Sequence, residues 1–332
     1  MNDPSSSSLH PPSPPPGNIT PEMDDAQTLA EATTVVHRQG RFLISSRKLP
    51  ISKSGPIDAM SCRLGIPVPE MIFGDNLISI THAPTGWSLS FTAEEALDLV
   101  DKTGEKGLLR VAYANSWSSS REKASATAGI SEVVKPYDWS YTTSYRGTET
   151  PGSGSSKTQT SQTTNPYLNA QINQPTPTSN SDEEGRDDSG LRLAASTDQV
   201  QIPLELLRRR DPILFFDEVT LYESELDDNG ISVLSVKVRV MEQRMLLLCR
   251  QYMRLDDVLV RVRDTRVYVD FQTDTVIREY TSKEDSFQNV KRALLMSGLR
   301  EDAITVAMRD ANQIAQLLPT VENVVESVSL KR

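Results

Sequence analysis

The stretch LSVKVRVM, residues 234–241, decides the fold of this chain. Apolar Val236, Val238 and Val240 alternate with the basic side chains between them. Alternation with a period of two is typical of a β-strand that buries one face and exposes the other to water. The stretch therefore predicts a half-buried strand.

Apolar runs on both sides of this stretch predict further strands. The turn sequence Asp227-Asp228-Asn229-Gly230 precedes it, and Asp256-Asp257 and Asp264-Thr265 predict tight reversals after it. Because these connections are so short, we expect an antiparallel meander. The other strands of the meander are predicted at residues 213–222, 245–255, 258–262, 266–271 and 276–280.

The remaining segments predict a mixture of strands and short helices. Thr92-Ala93-Glu94-Glu95 is a capping box that opens a helix to Val100. Pro203 suits the first turn of a helix at 203–209. Further strands are predicted at 41–44, 77–80, 87–91, 108–113 and 137–145, and further helices at 58–64, at 301–318 before Pro319, and in a shorter piece to about residue 328.

Two segments have the composition of disordered chain. Residues 1–35 are rich in serine, proline and acids, and residues 149–196 are rich in serine, threonine and acids. Such segments cannot bury enough apolar area to offset their ordering entropy. We expect a disordered tail at 1–35, a disordered insertion at 149–196, and one α+β domain made of residues 36–148 and 197–330.

Charge and cysteine content exclude several classes of protein. The chain has 332 residues and a net charge of -10, which argues against nucleic acid or a membrane as a partner. No run of about eighteen apolar residues suggests a membrane span. Cys62 and Cys249 alone form neither a disulfide framework nor a zinc site. We expect a reducing setting, the cytoplasm or the nucleus.

Catalytic signatures are missing from the sequence. It contains no phosphate-binding glycine loop, no nucleophile elbow and no H-E-x-x-H motif. His82, next to a turn at Pro84, is the best candidate for a general base, but a turn role suits it better. An enzyme is therefore possible but unsupported by any motif, and we expect no cofactor or metal.

The stretch KPYDWSYTTSY, residues 135–145, is dense in aromatic side chains. As a strand it would present Tyr137, Trp139, Tyr141 and Tyr145 on one face. That face either covers the core or lines a groove for a partner, because tyrosine and tryptophan are favoured at binding hot spots.

Five motifs in order resemble the TIPRL family, the TOR signalling regulators called Tip-forty-one in yeasts. The motifs lie at residues 69–76, 135–143, 234–241, 263–268 and 278–282. The resemblance implies two layers of mainly antiparallel sheet with flanking helices and a cleft. It further implies a non-enzymatic regulator that binds the catalytic subunits of type 2A, type 4 and type 6 phosphatases, and a Tap-forty-two-like protein, in nutrient signalling.

The resemblance also implies a set of partner-binding residues. All but Val200, which lies just past the insertion, have a structural alternative: Asp264 could serve a turn, Glu95 the capping box, Val262 an ordinary strand, and Trp139 the core. Arg263 and Arg266 could be solvated turn charges. The candidate set is Asp264, Val262, Glu95, Val200, Arg263, Arg266 and Trp139.

A second hypothesis is a small-ligand-binding protein or an enzyme that uses the same cleft. It predicts a pocket in which carboxylates or His82 converge. The position of His82 relative to the cleft therefore separates the two hypotheses.

Overall fold

The computed structural model describes residues 33–102, 137–153, 190–195 and 200–331. Strands in this part of the chain are β1 (Thr34–Gln39), β2 (Phe42–Arg47), β3 (Met71–Ile72), β4 (Leu77–His82), β5 (Ser88–Thr92), β6 (Thr148–Thr150), β7 (Ala194–Ala195), β8 (Phe215–Ser224), β9 (Gly230–Val240), β10 (Arg244–Leu255), β11 (Leu259–Asp270), β12 (Thr275–Ser286) and β13 (Thr320–Ser329). Helices are α1 (Ser54–Leu64), α2 (Ala93–Asp98), α3 (Leu204–Arg208), α4 (Phe287–Met296), α5 (Glu301–Ala307) and α6 (Ala311–Leu317).

The strands form two sheets in which neighbouring strands are antiparallel. The smaller sheet has the order β1-β2-β4-β5-β6, and the larger has the order β3-β8-β9-β10-β11-β12-β13-β7. Apolar side chains of both sheets, such as Ile80 and Phe91 from one and Val238 and Val267 from the other, join in one buried core. The predicted α+β class with two antiparallel layers is confirmed.

A second core lies on the opposite face of the larger sheet. There the side chains of Tyr252, Val260 and Val262 pack against Leu294 of α4 and Ile314 of α6. The central strands of the larger sheet are therefore covered on both faces, by the smaller sheet on one side and by helices on the other. No helix of the described residues has the length and apolarity needed to span a membrane.

The predicted meander is confirmed from β8 to β12, with one correction. The turns at 227–230 and 256–257 are present, and Asp227, Asp228 and Asp257 have positive φ. The predicted reversal at Asp264-Thr265 is wrong, because β11 continues through it, paired with β10 and β12. Backbone hydrogen bonds to the strands on both sides satisfy the main-chain groups of Asp264 and Thr265, so no turn forms there.

The C-terminal prediction also needs correction. The helix predicted at 301–318 is two helices, α5 and α6, and the Asp310 side chain caps α6 by accepting hydrogen bonds from the backbone of Asn312 and Gln313. The piece after Pro319 is the strand β13, not a helix. It pairs with β12 along most of its length, and this tertiary pairing decides its conformation.

Residues 137–145 do not form the predicted strand. Tyr141 has a left-handed backbone with φ of 53°, which ends any regular alternation. The Tyr222 hydroxyl donates to the Tyr141 carbonyl over 2.9 Å, and the Thr265 hydroxyl donates to the Tyr145 carbonyl over 3.0 Å. The segment is therefore a loop laid on the larger sheet, and we call residues 137–147 the cleft loop.

The described residues extend into both ends of the predicted insertion. The Glu149 carboxylate accepts hydrogen bonds from the Trp87 indole and the Leu193 backbone, both at 2.7 Å. Gly152 and Leu191 form an antiparallel bridge. These contacts hold residues 149–153 and 190–195 in place, so the disordered segment predicted at 149–196 is too long at both ends. Residues 154–189 and 196–199, the first 32 residues of the predicted tail, and the strand predicted at 108–113 lie outside the described residues.

Candidate functional site

A cleft opens between the cleft loop and the turn that joins β8 to β9. It encloses a cavity of about 200 Å³. Three aromatic side chains of the cleft loop form one wall, and the β8–β9 turn with the segment before β3 forms the other. The lining residues are Pro67, Val68, Glu70, Tyr137, Trp139, Tyr141, Ser224, Leu226 and Asp227.

The larger sheet continues beneath the cleft loop as a row of polar side chains. Gln251 on β10, Arg263 on β11 and Ser282 on β12 lie opposite one another, and residues paired in this way project from the same face of a sheet. The Gln251 amide donates to the Ser232 hydroxyl over 3.3 Å. We call this set the polar floor; it comprises Ser232, Gln251, Arg261, Arg263, Tyr280, Ser282 and Glu284.

The two arginines of the polar floor differ in their partners. Arg261 donates to Glu284 over 2.7 Å. Arg263 makes no ion pair with any described residue, and its Nε atom is buried without a hydrogen-bond partner among them. Burial lowers the pKa of the Arg263 guanidinium, while Tyr280, Glu284 and Asp138 act in the opposite direction.

The cleft loop is held down by hydrogen bonds at its second half. The Tyr145 hydroxyl donates to Glu95 over 3.0 Å and accepts from the Thr92 backbone over 3.2 Å. The Glu95 backbone N–H donates to the Thr92 hydroxyl, which confirms Thr92 as the N-cap of α2. The Glu95 carboxylate accepts from the Thr92 hydroxyl and not from the Thr92 backbone N–H, which donates to Tyr145, so the predicted capping box is only half formed. Burial raises the pKa of both Tyr141 and Tyr145, which keeps these hydroxyls neutral. Glu95 thus supports the loop from behind the cleft.

Only one member of the predicted binding set lines the cavity. That residue is Trp139, whereas Arg263 lies on the polar floor, whose residues are not among those that line the cavity. Val262 and Asp264 project from the opposite face of β11 and are both 1% exposed. Val262 packs under the helices, and Asp264 binds Arg250 with two hydrogen bonds of 2.7 Å.

The other predicted residues lie on the far side of the larger sheet. Arg266 is partly exposed and pairs with Glu279 over 3.3 Å. Val200 packs against a small cluster that contains Tyr268 and Ile277. The structure therefore does not gather the predicted set into one patch, and the role of each member in partner binding remains a prediction.

Several residues of the cavity and of the polar floor were not predicted. Gln251 and Tyr280 are buried within apolar-looking strands, and Glu70 and Asp227 lie in separate turns. A signal for Gln251 and Arg263 does exist in the sequence, because both put a polar residue on the inward face of a strand. That signal can be recognised only once the strand register is known.

The described residues that line the cleft are mainly aromatic, apolar and acidic side chains. His82 does not line it; this side chain is 1% exposed in the main core, where its ring packs on Phe42 and its Nδ1 lies 2.8 Å from the Thr85 hydroxyl. The described residues contain no group of three or more His, Cys, Asp or Glu side chains placed to hold a metal ion. The aromatic wall of the cleft and the hydrogen-bonding groups of the polar floor are the kinds of group that contact extended peptides in other proteins.

Comparison with models of known protein families identifies the family of this chain. The family model described as the TIP41-like family matches residues 71–291, a span that contains strands β3 to β12 and hence the whole polar floor. The chain belongs to the TIP41-like family.

Relatives of the TIP41-like family match most of the chain. The type 2A phosphatase activator TIP41 of Saccharomyces cerevisiae is 36% identical over 300 residues, 86% of this chain and 72% of that protein. The TIP41-like protein of Homo sapiens is 33% identical and covers 87% of both chains. The type 2A phosphatase activator tip41 of Schizosaccharomyces pombe is 28% identical over 85% of this chain and 93% of its own.

Proposed function

We propose that this chain is a non-enzymatic regulator that binds the catalytic subunit of type 2A serine/threonine phosphatases through the cleft. Two relatives carry the name of a type 2A phosphatase activator, and this chain shares their family. We extend the proposal to type 4 and type 6 catalytic subunits, to a Tap-forty-two-like protein, and to TOR nutrient signalling in the cytoplasm or nucleus.

The observation that supports the cleft as the binding surface is the aromatic wall above the polar floor. Trp139 is half-buried and lines the cavity together with Tyr137 and Tyr141. Amphipathic aromatic side chains at the edge of a concave surface are the usual centres of binding energy in protein interfaces. An extended segment of the phosphatase would place its side chains against this wall and its backbone over the floor.

The experiment measures binding of the purified full-length chain to a type 2A catalytic subunit by calorimetry. We expect Trp139→Ala to weaken binding by about 2 kcal/mol or more, the magnitude of a hot spot. Met296→Ala is the matched control, because Met296 is 82% exposed on helix α4, on the other side of the larger sheet. Near-ultraviolet circular dichroism confirms that both variants are folded.

The opposite result for the two variants would show that the interface lies on another surface. If Met296→Ala weakens binding and Trp139→Ala does not, the helical face carries the interaction and the cleft proposal is wrong. If the wild-type chain binds no type 2A, type 4 or type 6 catalytic subunit at physiological ionic strength, the proposed function itself is wrong.

A further inference from the structure

We propose that residues 165–188 of the insertion dock on a mixed basic and apolar patch of the same chain, at the opposite end of strand β8 from the cleft. The patch lies on the segment that leads from helix α3 into β8. It comprises Arg208, Arg209, Arg210, Ile213, Leu214 and Phe216, and we call it the arginine patch. The inference concerns a second interaction surface and goes beyond phosphatase binding.

The apolar half of the arginine patch faces solvent. Ile213, Leu214 and Phe216 are 52%, 51% and 49% exposed, three large side chains within four positions. The Leu214 backbone donates to the Val240 carbonyl over 2.8 Å, so the segment is held against strand β9. Contiguous exposed apolar residues mark interaction surfaces, whereas apolar residues scattered singly over a surface do not.

The basic half of the patch has cations that can change partners. The Arg208 and Arg209 side chains are 77% and 56% exposed, and their ion pairs with Glu205 and Asp211 are 3.7 Å and 3.4 Å long. Exposed pairs of this kind contribute little to stability, so other carboxylates can replace them at small cost. Together with Arg210 they form three consecutive positive charges in a chain whose net charge is -10.

A cavity of about 330 Å³ borders the arginine patch. Arg209 and Leu214 line it together with Arg244 at the start of β10. Arg244 is 3% exposed and pairs with Asp211, yet its Nε atom is buried without a hydrogen-bond partner among the described atoms. Buried polar groups are normally satisfied, so this donor indicates that an acceptor enters the cavity.

The insertion has the complementary composition. Residues 154–189 contain five acids and two bases, and all five acids lie within 182–188. The only aromatic or branched aliphatic residues of the same span are Tyr167, Leu168 and Ile172. The acids can therefore meet the arginines, while the three apolar side chains cover the apolar half of the patch.

The two ends of the insertion lie at the same end of the molecule as the patch. The Ser153 backbone donates to the β4–β5 turn over 2.9 Å. His82, at the start of that turn, has its Nε2 atom 3.9 Å from Asp274 Oδ1 in the β11–β12 turn. In the latter turn the Phe271 backbone donates to the carbonyl of Gln243, which lines the cavity, over 3.0 Å. A continuous row of turns thus connects the insertion to the patch.

The length of the insertion allows the contact. At about 3.3 Å per extended residue, Leu168 can lie up to about 50 Å from Ser153, and Asp182 up to about 26 Å from Gly190. These lengths exceed the spacing of about 10 Å between two packed sheets. A tethered segment also has an effective concentration on the order of millimolar. Weak contacts therefore suffice for the chain's own segment, and we assign the patch to it rather than to a free partner.

The arginine patch and the cleft are far apart along β8. Phe216 lies near the beginning of this strand, and Ser224, which lines the cleft, ends it. Eight strand residues span about 26 Å. Docking on the patch therefore leaves the cleft accessible, and the two surfaces can be tested separately.

The test places a nitroxide spin label on residue 181 of the full-length chain. The label is attached to Ser181→Cys in a Cys62→Ser background, because Cys62 is exposed and Cys249 is buried. Paramagnetic broadening of backbone amide signals is measured by NMR spectroscopy. A mixture of isotope-free, spin-labelled chain with isotope-labelled chain that carries no nitroxide reports on contacts between two copies.

Three variants accompany this measurement. The charge variant combines Arg208→Gln, Arg209→Gln and Arg210→Gln. Its control removes the same number of charges from exposed positions of the helical layer, with Arg292→Gln, Arg300→Gln and Arg309→Gln. The apolar variant combines Tyr167→Ser and Leu168→Ser.

We expect the label to broaden the amide signals of residues 208–216. The charge variant should lose this broadening, as should the parent chain in about 1 M salt, where the Debye length is about 3 Å. The control should keep it, and the apolar variant should weaken it. The type 2A catalytic subunit should bind the parent chain and the charge variant equally well, so failure of this inference and failure of the proposed function can be distinguished.

Three outcomes overturn the inference. Absence of broadening at residues 208–216 in the parent chain means that the segment does not dock there. Broadening that persists in the charge variant means that the arginines do not hold the segment. Broadening in the mixed sample as strong as in the singly labelled chain means that the patch binds a second copy and not its own insertion.

Discussion

Arg250 holds Asp264 through two parallel hydrogen bonds, Nε to Oδ1 and Nη2 to Oδ2, each 2.7 Å long. The same guanidinium donates to the side chain of Asn312 on α6 over 2.9 Å. The pair therefore ties the centre of the larger sheet to the helical layer. Asp264, for which family resemblance predicts a role in partner binding, lies buried on the face opposite the cleft.

Removing Asp264 should destabilise the fold before it affects any interface. The Arg250 and Asp264 side chains are 13% and 2% exposed, and breaking a buried pair leaves one charge without compensation. We expect Asp264→Ala to lower the free energy of unfolding by about 3–5 kcal/mol, measured by urea denaturation. The double variant Arg250→Met with Asp264→Leu should recover most of that loss, since no charge is left behind.

Arg266→Gln provides the matched control for this pair. Arg266 lies on the same face of β11, with its Nη2 atom 3.9 Å from Asp264 Oδ2, but its side chain is 39% exposed, so its loss should change stability by no more than about 1 kcal/mol. A stable, folded Asp264→Ala protein that has lost phosphatase binding would contradict the structural role and return Asp264 to the interface.

Glu95 should stabilise the conformation of the cleft loop through its hydrogen bond to Tyr145. It accepts hydrogen bonds from the hydroxyls of Tyr145 and Thr92. We expect Glu95→Ala to cost about 1–2 kcal/mol of stability and to accelerate amide hydrogen exchange in residues 141–147. The control is Glu94→Ala, because Glu94 makes only a largely exposed pair with Arg63, which contributes about 1 kcal/mol or less. Equal exchange in the two variants would show that Glu95 does not hold the loop.

The strands of the meander could be predicted from sequence because their pattern is local. Val236, Val238 and Val240 all lie on the buried face of β9 with exposures of 0%, as alternation predicts. The same rule wrongly predicted a strand for the cleft loop, because the aromatic residues of this loop also alternate along the sequence. Tyr137, Tyr141 and Tyr145 are buried without a partner strand. Tyr141 has a left-handed backbone, and its ring packs against that of Tyr222.

The candidate site could not be predicted in the same way, because it is assembled by register. Gln251, Arg263 and Ser282 are separated by 12 and 19 positions and meet only because the ladders place them opposite one another. β13 illustrates the same limit, since its pairing with β12 overrides a sequence that continues a helical run. Asp264 and Arg263 are chain neighbours, yet they face opposite layers, and family motifs cannot distinguish the two.

Gly147, at the end of the cleft loop, should tolerate no side chain. Its φ is +84°, and an added Cβ would lie 2.7 Å from Phe91 Cζ, in the main core. We expect Gly147→Ala to cost about 1–2 kcal/mol for the backbone and about 1–3 kcal/mol more for overpacking. Gly86→Ala separates the two contributions, because Gly86 has a φ of +72° and open space around its Cβ position. Equal losses in the two variants would show that Phe91 yields without cost.

Alkaline pH should unfold the chain through its buried phenols and its buried thiol. Burial raises the pKa of Tyr222, Tyr145 and Cys249, and raises the pKa of Tyr252 to about 12. In the unfolded chain these groups ionise near their ordinary values, about 10 for tyrosine and about 8.5 for cysteine. The unfolded state then binds fewer protons than the folded state, so stability is complete below about pH 8.5 and falls as the pH rises. Urea denaturation midpoints measured from pH 7 to pH 11 should show this decline in stability. In Cys249→Ala, the part of the decline that begins at the lowest pH should be missing. A midpoint that stays constant up to pH 11 would mean that these groups ionise as easily in the folded chain as in the unfolded chain.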